Sequence, residues 1–91
     1  MNNIDIVIVE IHKRTCHLES IINSCTKDIQ LAQLPEYMIQ LKRQILFIIE
    51  KYKKQTNLFD RSAYMKTCTI RLESFVMIFW DVYVKKVKQL N

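Results

Sequence analysis

Residues 34–54 read LPEYMIQLKRQILFIIEKYKK, and this stretch decides the fold. Its residues Leu34, Met38, Leu41, Ile45, Ile48 and Tyr52 recur at steps of three and four, the period that puts them on one face of an α-helix. Pro35 suits the first helical position, where its missing N–H would find no partner anyway. Glu36 adds a carboxylate at the positive end of the helix dipole, and Lys51, Lys53 and Lys54 place cations at the negative end. The spacing predicts a helix over 35–54.

Upstream, Ile4, Ile8, Ile11, Thr15, Leu18, Ile22, Cys25 and Ile29 alternate by four and three without a slip. At 100° per residue they fall within a sector of roughly 100°, which predicts a helix over 3–29 capped by Asn3, with Asp5 in its first turn. A strand over 4–9 is the rival reading, but a lone strand would have no partner. The break between the first two helices is read at 30–34. Downstream, Asn57 with Asp60 three residues later resembles a capping box. From there Leu58, Met65, Leu72, Val76, Phe79, Tyr83, Val87 and Leu90 form a third seam with Cys68 and Phe75 beside it, predicting a helix over 58–89 about 48 Å long.

Short connections between long helices make antiparallel neighbours, so the expected fold is all-α: one domain over 1–91, three long helices in an up-down-up antiparallel bundle. The 91 residues include no glycine. Hairpin turns of the primed types, tight β corners and glycine-rich phosphate loops all need that residue, so small β-barrels and nucleotide enzymes built on such loops are excluded. With 49% hydrophobic and 25% charged residues the chain is expected to fold. No apolar run nears the ~20 residues of a membrane span. The opening Met-Asn-Asn-Ile-Asp has no basic n-region and no lipidation signal, and three cysteines, an odd count, read as free thiols, so an intracellular protein is expected. Phe, Tyr, Met, Ile, Asn and Lys, the residues of AT-rich codons, supply 40 of the residues, which points to a low-GC genome, whether viral, bacterial or eukaryotic.

Three seams do not absorb all the apolar residues. On the second helix Ile39, Leu46 and Ile49 widen the arc to roughly 180°, and Phe47 lies opposite it. On the third, Ile70, Met77 and Val84 recur every seven residues about 150° from the main seam, framed by Lys66, Glu73, Asp81 and Lys88. An apolar strip in a charged frame is how a pairing surface looks. The expectation is a homodimer and a non-enzymatic interaction module, an adaptor or inhibitor, with Ile39, Leu46, Phe47, Ile70, Met77 and Val84 as contact residues. Burial of a helix in a groove would be the mechanism. Another protein partner, or simple exposure of scattered apolar residues, is the competing account.

The alternative function is non-specific phosphate binding by a small nucleic-acid-associated protein. Residues 30–57 and 58–91 each carry a net charge of +3, against −1 for 1–29. Lys42, Arg43, Lys51, Lys53 and Lys54 cluster on the second helix, and Lys85, Lys86 and Lys88 at the end of the third, where they could neutralise phosphates. Lysines at helix C-termini also serve as dipole partners, and the tight turn of a helix-turn-helix reader is missing.

Other chemistry finds little footing. His12 and Cys16, four apart, share a helix face, but zinc takes four ligands and His17 points elsewhere, so no metal is expected. The same pair lacks an orienting acid and an oxyanion turn for nucleophilic catalysis. The nine carboxylates are spaced singly, so no acid/base pair emerges. No cofactor or small-molecule substrate is expected. The run 75–80 is apolar on all sides, which fits a buried helix better than a membrane-surface one.

Overall fold

A computed structural model describes residues 2–91. Four helices follow in chain order: α1 (Asn3–Ser24), α2 (Asp28–Ala32), α3 (Leu34–Lys54) and α4 (Arg61–Leu90). The three long ones form the expected bundle. Arg14 on α1 reaches Gln44 on α3, and His17 reaches Tyr37, so rising numbers on α1 meet falling numbers on α3 and the two run antiparallel. The Tyr64 hydroxyl donates to the Ile49 carbonyl at 2.7 Å, joining α3 and α4 as an antiparallel hairpin. Asn3 meets Thr56 at one end and the Asn23 carbonyl accepts from Lys86 at the other, which makes α1 parallel to α4. The result is a rod of 50 × 19 × 16 Å.

The core runs along this rod. Val7, Ile11, Leu18, Ile22 and Cys25 from α1, Leu31 from α2, Leu34, Met38, Leu41, Ile45 and Ile49 from α3, and Tyr64, Cys68, Phe75 and Phe79 from α4 are buried together. Val7, not Ile4 or Ile8, is the fully buried residue of the first turns, and Ile49 rather than Ile48 completes the α3 face. On α4 the buried face is Tyr64, Cys68, Phe75 and Phe79, while Met65, Leu72, Val76 and Tyr83 flank it half-buried. Thr15 stays inside the seam because its hydroxyl donates back to the Ile11 carbonyl at 2.9 Å.

Three boundaries differ from expectation. The first helix ends at Ser24, not at 29, and the chain turns through an extended Cys25 before the five-residue α2. The Ser24 hydroxyl and Cys25 thiol bond back to the carbonyls of Ser20 and Ile21, and the Gln30 side chain accepts from the N–H groups of Thr26 and Lys27, satisfying the two donors just ahead of the new helix. Ile29 is therefore 70% exposed and Leu31 takes the core position. Asn2 rather than Asn3 caps α1, accepting from the Asp5 N–H at 3.0 Å. The last helix begins at Arg61, not 58. The Asn57 side chain accepts from the Phe59 N–H in a local turn instead of a capping box, and Leu58 leaves the seam for solvent.

Candidate interaction surfaces

The surplus apolar residues lie on two sides of the α3–α4 hairpin. On α4, Tyr64, Cys68, Phe75 and Phe79 face inward, so Ile70, Met77 and Val84, roughly 180° around the helix, point outward. Met77 is 71% exposed. On α3, Ile39 and Leu46 stand on the flank that turns toward α4. Leu46 and Met77 help line an open groove of about 560 Å³ between the two helices, floored by Ile49, Met65, Cys68, Leu72 and Val76 and rimmed by Lys42, Glu50 and Glu73. Phe47, 73% exposed, lies about 100° further around α3 and belongs to neither the groove nor the α4 strip. Leu46 and Met77 thus border the groove, Ile39 stands on its α3 flank, Ile70 and Val84 lie on the outer strip of α4, and Phe47 stands apart.

The opposite side is closed. There α1 covers α3 and α4, with His17 bonded to the Tyr37 hydroxyl at 2.9 Å and Arg14 bonded to Gln44 and, at 2.8 Å, to Glu10. That Arg14 contact holds the Glu10 carboxyl below its ordinary range. Trp80 and Tyr83 pack edge-to-face near the far end of α4, and Phe79 joins them from the core.

The basic residues do not converge. Lys51, Lys53 and Lys54 lie at the end of α3, beside the start of α4. Lys85, Lys86 and Lys88 lie at the end of α4, at the other end of the rod, separated by about 37 Å of helix. Lys85 pairs with Asp81 at 3.1 Å, Lys86 donates to the Asn23 carbonyl, and Lys53 approaches Glu50 at 3.9 Å. Lys42 sits half-buried on the groove rim while Arg43 points outward.

His12 and Cys16 meet at 3.5 Å on the exposed side of α1, and Cys68 is buried elsewhere. Among the described residues no group of three His, Cys, Asp or Glu side chains is placed to hold a metal, and no helix is long and apolar enough to cross a membrane. Burial pushes the Tyr64 phenol well above its ordinary value and raises the Cys68 thiol, the latter partly offset by its hydrogen bond with Tyr64. Sequence reasoning missed the tip between α3 and α4, where Leu58 is 76% and Phe59 95% exposed. The Asn-Leu-Phe-Asp order was the available signal, since asparagine turns the chain locally.

The chain matches no protein-family model, no curated protein and no solved structure.

Proposed function

We propose that this protein is a non-enzymatic helical interaction module that works as a homodimer, with a second copy covering the outer strip of α4 and the neighbouring α3–α4 groove. The observation that carries the reading is the exposure of five large apolar residues, Ile39, Leu46, Ile70, Met77 and Val84, on α3 and α4, with Leu46 and Met77 lining the groove between the two helices. Monomers rarely leave such a patch open to water.

Area supports the same occupant. The chain exposes 6227 Å², whereas a compact chain of its mass would expose about 5,600 Å². Its radius of gyration is 15.0 Å against about 12 Å for a compact domain of this length. The rod shape leaves an excess of roughly 600 Å², the order of what each partner loses in an ordinary protein interface. Two rods laid side by side along the α4 strip would remove it. Lys42, Glu50 and Glu73 on the groove rim supply both signs of charge, as a self-complementary contact requires. Nucleic-acid binding by the lysines as one surface has less support, because they form two clusters at opposite ends of the rod.

Sedimentation equilibrium at micromolar concentration tests the reading. The wild-type chain should run at twice its 11.0 kDa, and Met77→Asp with Val84→Asp should run as a monomer that keeps its helical circular dichroism. A monomeric wild type would overturn it.

A further inference from the structure

The α3–α4 tip is a second exposed apolar feature, distinct from the proposed dimer surface and independent of it. Leu58 and Phe59 are among the most exposed large apolar side chains described, and they sit side by side at one end of the rod. Their exposure is built in. The Asn57 side chain accepts from the Phe59 N–H at 3.0 Å, and the Asp60 N–H donates to the Asn57 carbonyl at 2.9 Å. From behind, the Arg61 guanidinium donates to the carbonyls of Lys53, Lys54 and Thr56, and Thr56 is itself bonded to Tyr52 and Asn3. A turn held this way cannot fold its two apolar residues back onto the bundle without breaking those bonds.

The surroundings say what the tip suits. The open pocket beside the turn, lined by Asn3, Gln55, Asn57 and Asp60 among others, includes neither Leu58 nor Phe59, which stand outside it in solvent. Lys51, Lys53 and Lys54 precede the tip, Arg61 and Lys66 follow it, and only Glu50 and Asp60 oppose them, a net of +3 over 50–66. Bulky exposed apolar side chains flanked in sequence by lysines match a membrane interface of anionic lipid, where the apolar groups enter the headgroup–acyl boundary and the cations stay with the phosphates. Neither signal suffices alone: two side chains bury little area, and a few lysines are screened by salt. We propose that the α3–α4 tip docks the rod end-on to anionic membrane surfaces, inserting Leu58 and Phe59.

Cosedimentation of the full chain with lipid vesicles tests this. Binding is expected to vesicles containing about 30% phosphatidylserine and not to pure phosphatidylcholine vesicles. Leu58→Ser with Phe59→Ser should lower the partition coefficient about tenfold while leaving the helical circular dichroism intact, since neither residue touches the core. Lys51→Glu with Lys54→Glu should lower it by a similar factor. No binding of the wild type to anionic vesicles overturns the proposal, as it would if the tip fits a pocket on another protein. Undiminished binding by the serine variant overturns it too, because attraction would then come from the lysines alone.

Discussion

Tyr64 ties the α3–α4 hairpin together with a hydroxyl that is buried and bonded to the Ile49 carbonyl. Replacing it by phenylalanine removes one hydrogen bond and leaves no large cavity, so Tyr64→Phe should cost about 1 kcal/mol in urea denaturation. The same burial sets an alkaline limit. Tyr64 and Cys68 have raised pKa values in the fold, so the unfolded chain releases those protons first. Their contribution is complete below the ordinary thiol and phenol values of 9.0 and 10.0 and declines as pH rises past them. Unfolding midpoints followed upward from about pH 8 should fall, and Tyr64→Phe should flatten the part of that fall above about pH 10. Thiol reactivity separates the three cysteines in the same way. Cys16 is exposed whereas Cys25 and Cys68 are buried, so a disulfide reagent should titrate one thiol in the native protein and three in denaturant.

The helices themselves were legible where the period ran unbroken. The α3 stretch carries its start in Pro35, its stop in three lysines and its face in the spacing of Leu34, Met38, Leu41 and Ile45, so its bounds came out within a residue. The end of α1 was not legible, because neither glycine nor proline marks it. It is made by side chains of Ser24, Cys25 and Gln30 competing for backbone groups, a choice that periodicity does not see. The period puts Ile29 on the seam and leaves Leu31 in the break, and only the place where α1 ends reverses the two. A pair of substitutions checks the decision: Ile29→Ser should change stability by no more than about 0.5 kcal/mol, whereas Leu31→Ala should cost about 2–5 kcal/mol. Equal effects would mean that α1 continues past Ser24. Leu58 failed for a related reason. Its spacing from Met65 and Leu72 fits a seam, but a seam holds only inside a helix, and the Asn57 turn and the Arg61 anchor delay α4 until residue 61.

At the scale of the whole molecule, the excess of apolar residues was legible by counting, while its grouping was not. Leu46 and Phe47 are neighbours in sequence, yet one lines the α3–α4 groove and the other stands outside it, because adjacent helical residues point about 100° apart and only the packing of α4 selects between them. That geometry makes the side with Met77 and Val84, rather than Phe47, the one to disrupt if two copies associate. Association also ties stability to concentration. While the dimer is the dominant folded species, tenfold dilution weakens the folded state by about 1.4 kcal/mol per dimer. For an assembly of two such chains that is a fall in melting temperature of a few degrees, about 2–4 °C per kcal/mol. The wild type should therefore melt lower at each dilution by calorimetry. Phe47→Ser should follow the same concentration dependence, and Met77→Asp with Val84→Asp should melt at one temperature throughout, since a monomer's unfolding does not depend on how much of it is present. A wild type whose melting temperature ignores dilution would leave the exposed side of α4 without a second copy to explain it.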